Sequence, residues 1–172
     1  MIALARRLDA ILMAVLNAIV MITSVLIASL ILFLVLARYV LGWSVVGVLE
    51  LATLSAIWLY MSGAVVAARA REHLVVDFLA SYITDPRWKA LHSLVVSVIV
   101  VGLSLFFLSL ANDMVAWSFK RPQTTAALSL PLIIPQSAVV LAAIFCSVYA
   151  LRDFSISLVQ VLQSASSKQT GA

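Results

Sequence analysis

Apolar residues along this chain fall in four long, nearly uninterrupted runs, at about 10–36, 45–68, 91–110 and 131–151. Coiled as helices rising 1.5 Å per residue, each run can cross a hydrocarbon core of roughly 30 Å. A membrane barrel would instead alternate apolar and polar positions in segments of about ten residues. The pattern predicts an all-α membrane protein: one domain over residues 1–172, built from four transmembrane helices.

The polar positions punctuate these runs. Between the second and third, "REHLVVDFLASYITDPRWK" sets His73, Asp77 and Ser81 at every fourth residue, with Leu74, Val75, Phe78 and Tyr82 on the other side. That spacing predicts a short amphipathic helix at about 73–83, lying on the membrane surface. Asp85 then suits an N-cap, with Pro86 at the first position of the next helix. Pro131 and Pro135 stand at the start of the fourth run, and Phe154, Leu158, Val161 and Leu162 carry a helical spacing beyond its end.

Composition confirms the membrane class. Hydrophobic residues make up 65% and charged residues 10% of the chain, against about 45–50% and about 25% in soluble domains. The net charge of +4 is therefore a topology signal and not a nucleic-acid footprint, since no basic stripe interleaved with aromatics lies outside the runs. With the N-terminus inside, eight of the eleven Lys and Arg residues are cytoplasmic. They are Arg6, Arg7, Arg69, Arg71, Arg87, Lys89, Arg152 and Lys168, against Arg38, Lys120 and Arg121 outside. The excess of basic residues inside predicts both termini in the cytoplasm of a multi-pass inner-membrane protein. Tyr39, Trp43 and Trp117 then fall at the outer boundary, and Tyr82, Trp88 and Tyr149 near the inner one, as aromatic belts contacting membrane lipids.

The candidate chemistry is sparse. No phosphate-binding GxxxxGK[ST] motif occurs, His73 and His92 are not placed to ligate a haem together, and no metal-ligand spacing or Ser/His/Asp set emerges. Neither an enzyme nor a bound cofactor or metal is expected. A self-sufficient transporter is the alternative function, for example a small proton-coupled exporter that uses a membrane carboxylate. Against it, the prolines sit at or near run ends, and the broken mid-membrane helices of secondary transporters are not apparent.

Glu50 is the conspicuous residue, a carboxylate inside "VGVLELATLSAIWLY". With the second helix starting near Val45, it lies only about 7–10 Å below the outer boundary. Arg38, closing the first helix at the same level, is a reasonable ionic partner that would tie two helices together. Ala52, Ala56, Gly63 and Ala67 follow spacings of four, seven and four, and Ala52 lies about 200° around the helix from Glu50. Small residues permit close helix approach and carboxylates avoid lipid. Both sides of this helix thus read as protein-facing, more than three companion helices can cover, which implies a second membrane protein alongside. The stripe is also compatible with the ordinary abundance of alanine in membrane helices.

These residues resemble a known family, the small DctQ-type (Q) membrane subunit of tripartite ATP-independent periplasmic (TRAP) transporters. The likeness rests on "ARYVLGW", on "ELATLSAIWLYMSGAVVAARAREHLVVDFL" and on "TTAALSLPLIIP", with Glu50, Trp58, Gly63, Arg69, His73 and Asp77 as its central pattern. The stretch "WSVVGVLEL" departs from the family in carrying a lone acid where many such subunits carry adjacent acids. The resemblance implies a bacterial or archaeal inner-membrane subunit that braces a large permease subunit and helps dock a periplasmic substrate-binding protein during sodium-coupled uptake of an organic acid. On this reading Arg38, Glu50, Ala52, Ala56, Trp58, Gly63 and Ala67 position helices or meet the large subunit. Arg69, His73 and Asp77 anchor the inner surface helix, and Arg38, Lys120 and Arg121 form outer contacts for the binding protein.

Overall fold

The structure, a computed structural model, describes residues 2–70 and 86–166. Four helices account for most of them: α1 (Ile2–Tyr39), α2 (Val46–Ala70), α3 (Pro86–Lys120) and α4 (Ile133–Ser166). Stretches of all four are long and apolar enough to cross a membrane, namely Asp9–Tyr39, Val46–Ala70, Leu91–Lys120 and Ile133–Val159. The fold is all-helical, and among the described residues the only extended pairing is an isolated bridge between Thr124 and Pro131. The surface helix expected at about 73–83, with His73 and Asp77, lies outside the described residues.

The helices outrun the apolar stretches that announced them. Expected to leave the membrane near Leu110 and Leu151, α3 and α4 continue to Lys120 and Ser166. Helical hydrogen bonding does not stop where hydropathy falls, so polar residues such as Asn112 and Asp113 are carried on the same helix. Pro86 opens α3 as expected. The fourth helix starts at Ile133, two residues after Pro131, and Pro135 sits in its first turn. There the missing N–H costs nothing, because first-turn donors have no helical partner.

The chain divides into two compact units. One comprises residues 1–66 and 110–142 and the other residues 67–109 and 143–172. In the first unit the buried apolar positions are Met13, Leu16, Ala37, Ala52, Val65, Ala111, Ala138 and Ala142, with Ser62 and Ser118 among them. In the second they are Ala68, Ala143, Tyr149 and Ala150, with Ser147 and Ser157. Eight of these twelve apolar residues are alanine, so the contacts are between closely approaching helix backbones, as in membrane helix packing. Large apolar side chains point the other way: Met21, Ile22, Val25, Leu103 and Phe106 are all exposed. In water this would be an inverted protein, whereas in a bilayer those side chains meet acyl chains or another protein.

Hydroxyls on the open faces are satisfied within their own helices. Thr23 donates to the Ile19 carbonyl at 2.6 Å and Ser29 to the Val25 carbonyl at 2.8 Å. This is how a hydroxyl avoids presenting an unmet polar group to hydrocarbon.

A carboxylate clasp on the α3–α4 connection

Eleven residues after α3 ends, the chain has reversed and is ready to enter α4. The reversal is a small hairpin. The Leu132 N–H donates to the Gln123 carbonyl at 3.0 Å, Thr125 N–H to the Leu130 carbonyl at 2.9 Å, and Ser129 N–H to the Thr125 carbonyl at 3.1 Å. The Thr125 hydroxyl oxygen accepts from the Leu130 N–H at 3.1 Å. Ser129 closes the turn with φ of 53°, a left-handed conformation that non-glycine residues seldom take.

Two backbone N–H groups at the hairpin tip, those of Ala127 and Leu128, have no partner within the hairpin. They are met by Glu50. Its Oε1 accepts from Ala127 at 2.7 Å and its Oε2 from Leu128 at 3.0 Å. Both oxygens of one carboxylate thus grip consecutive peptide groups, a charge-assisted arrangement stronger than bonds between neutral groups. One turn earlier on α2, Gly47 completes the grip. A Cβ there would stand 2.9 Å from Leu128 Cδ2 and 3.0 Å from its Cγ, so the missing side chain is what lets Leu128 settle against the helix. Gly47 and Glu50, three residues apart, share a helix face. Together they hold Leu128 by its side chain and by its backbone.

The expected ion pair between Arg38 and Glu50 is not formed. Among the described residues no salt bridge joins them, and the Glu50 oxygens are taken by backbone donors. Arg38 is exposed in the last turn of α1. Beyond it, Gly42 at φ of 67° turns the chain so that the Trp43 N–H reaches the Ala37 carbonyl at 2.9 Å. At the end of α3, Lys120 and Arg121 are both exposed, and the Arg121 guanidinium lies over the Trp117 ring, 5.2 Å from its centroid.

The small-residue stripe of α2 is only partly used within the chain. Ala52 is buried, whereas Ala56, Gly63 and Ala67 are half-buried, as is Trp58. A Cβ added at Gly63 would meet nothing within 4 Å. The packed side at this level carries Ser62 and Val65, the latter about 200° around the helix from Gly63. Arg69, exposed near the end of α2, offers its backbone carbonyl to the Arg152 guanidinium at 3.2 Å.

Sequence reasoning found Glu50 but not its partners. Peptide N–H groups belong to every residue except proline and leave no compositional trace. The trace that does exist is Gly47 one turn before the acid, together with the threonines and serine of "TTAALSLP". Arg152 was equally unmarked. Its Nε donates to Asp153 Oδ1 at 2.8 Å, and its guanidinium lies 5.0 Å from the centroid of the Tyr149 ring. Tyr149, expected in the inner aromatic belt, is instead buried beneath that guanidinium.

Four apolar helices, an interior of small residues and outward-facing large side chains define a multi-pass membrane protein of the helical class. Within that class, the model of the family "Tripartite ATP-independent periplasmic transporters, DctQ component" matches residues 27–159. The chain belongs to the DctQ family, a transporter component and not an enzyme family. The matched segment takes in the end of α1, all of α2 and α3, the clasped hairpin and most of α4. No curated protein matches the chain.

Proposed function

We propose that this chain is the non-catalytic small subunit of a sodium-coupled TRAP-type importer of an organic acid, bracing the large membrane subunit and presenting a shaped outer hairpin to the periplasmic binding protein. The observation that carries the reading is the clasp. Glu50 is spent on fixing the backbone of a surface connection, a use suited to a chain whose task is to offer a defined surface to a partner. Membership of the DctQ family supports the transporter assignment.

On this reading both termini are cytoplasmic in the inner membrane, in keeping with the eight-to-three distribution of Lys and Arg. The hairpin then faces the periplasm, flanked by Lys120 and Arg121, with Arg38 as a further cationic contact for the binding protein. Ala56, Gly63 and Ala67, with Trp58, offer the large subunit a close-approach surface on α2, while Ala52 packs internally. Arg69, with His73 and Asp77 beyond it, anchors the cytoplasmic connection to lipid headgroups.

The test is reconstitution. The tagged chain, purified from native membranes, should bring a large multi-span subunit with it. Proteoliposomes of the pair should take up an organic acid only with a sodium gradient and the binding protein present. Lys120→Ala with Arg121→Ala should raise the binding-protein concentration needed for half-maximal uptake and leave the pair assembled. Uptake by this chain alone, or recovery without a membrane partner, would overturn the assignment.

A further inference from the structure

One face of α3 presents a carboxyl group that the described residues leave unmet. Ala111 and Ser118, seven residues apart, are buried and mark the side of the helix used for packing. Leu110, Asp113, Trp117 and Lys120 follow at spacings of three, four and three, and all four are exposed. Asp113 lies about 160° around the helix from Ala111, on the outward side. Among the described residues no hydrogen bond or ion pair reaches its side chain.

Its depth makes this informative. Asp113 belongs to the apolar stretch Leu91–Lys120, seven residues and so about 10 Å before the helix end. It stands one turn further from that end than Trp117, whose ring, under the Arg121 guanidinium, marks the interface. An acid at this level, flanked by exposed Leu110 and Trp117, is poorly suited to acyl chains and needs a donor. Glu50 has backbone donors of its own chain; Asp113 has none among the described residues.

We infer that the Leu110–Asp113–Trp117–Lys120 face of α3 is a docking surface for a transmembrane helix of a partner protein that carries an arginine or lysine at the depth of Asp113. Charge complementarity selects the occupant. A guanidinium or ammonium supplies several donors to the two carboxyl oxygens, and Leu110 and Trp117 shield the contact from lipid and water. The inference rests on the proposed assembly with a large membrane subunit and adds the face of this chain and the side-chain chemistry that join them.

The experiment uses the full complex. A photo-crosslinking amino acid at position 113 should yield an adduct of this chain with the membrane partner. Asp113→Arg, which sets like charges against each other, should lower the partner recovered with the chain by about tenfold or more, and Asp113→Asn by a smaller factor. The amount of each variant inserted in the membrane is matched beforehand. Crosslinking to lipid alone would overturn the inference, as would Asp113→Arg recovered with its partner at the wild-type level. If the unmodified chain recovers no membrane partner, the proposed assembly fails and this face with it. If it recovers one and position 113 does not touch it, the face alone is refuted.

Discussion

Glu50 and Ser157 are both polar side chains on helices apolar enough to span a membrane, and the two units of the chain satisfy them by different means. In the unit containing residues 1–66 and 110–142, a carboxylate reaches out of α2 to the backbone of a connection. In the other, hydroxyls on neighbouring helices serve one another. Ser157 on α4 lies 3.1 Å from Ser93 and 2.9 Å from Ser97 on α3, and Ser97 also donates to the Ser93 carbonyl at 2.8 Å. Further along, Ser147 donates to the Ala143 carbonyl at 2.7 Å and approaches the Ser104 carbonyl at 3.3 Å. Charge-assisted bonds from one acid shape a surface, whereas small mutual bonds between hydroxyls glue helices without presenting anything outward.

The contrast is broken most directly at Glu50. Glu50→Ala leaves the Ala127 and Leu128 N–H groups without an acceptor. Hydrogen exchange at these two amides should speed up, and uptake at limiting binding protein should fall by about tenfold, with the helical content by circular dichroism unchanged. Glu50→Gln, with a single acceptor oxygen, should lie between. Slow exchange retained in Glu50→Ala would show that the hairpin holds itself.

Arg152 is the next largest. Arg152→Ala removes the contact to the Arg69 carbonyl, the partner of Asp153 and the cation over Tyr149. A loss of about 1 kcal/mol in detergent-mediated unfolding is expected, with little change in exchange at the hairpin amides.

Gly47 sharpens the comparison through geometry alone. Gly47→Ala places a methyl group 2.9 Å from Leu128 Cδ2, and the leucine must give way. A modest weakening of the hairpin is expected, detectable as faster exchange at Leu128. Adding Leu128→Ala should remove the clash, so the double variant should show less than the summed effects. Additive effects would mean that the two residues do not touch in the working protein.

The smallest effect belongs to the hydroxyl cluster. Ser157→Ala should cost about 0.6 kcal/mol, typical of hydrogen bonds between membrane helices, measured as a shift in the same unfolding transition. The Ser97 hydroxyl keeps the Ser93 carbonyl as its acceptor, whereas the Ser93 hydroxyl loses its bond to Ser157.

How much of this could be read from the residues follows from which forces leave a trace. Hydropathy announced all four helices, because burial in lipid demands the same apolar length whatever the neighbours. It located the end of α3 at Lys120 poorly, since it reports the solvent around a helix and not its hydrogen bonding, whereas the continuation of α4 past Arg152 was legible in the helical spacing of Phe154, Leu158, Val161 and Leu162. Glu50 stood out because a carboxylate in an apolar run is costly, yet its partnership with the hairpin depended on a chain reversal 77 residues away. The α2 stripe was legible as small residues. Which of them the chain packs, Ala52, and which it leaves open, Gly63, depends on where α2 meets its neighbours, and spacing along one helix does not encode that.

The alanine seams have a consequence for how this protein tolerates change. Ala37 and Ala143 retain no accessible surface, so an added methylene at either would have no free space and would force its surroundings to shift. Bulky residues such as Phe106 can be exchanged for other oily ones as far as the chain's own packing is concerned. A comprehensive substitution map should therefore look reversed beside that of a water-soluble domain, with the least forgiving sites among the smallest side chains and the most permissive among the greasiest.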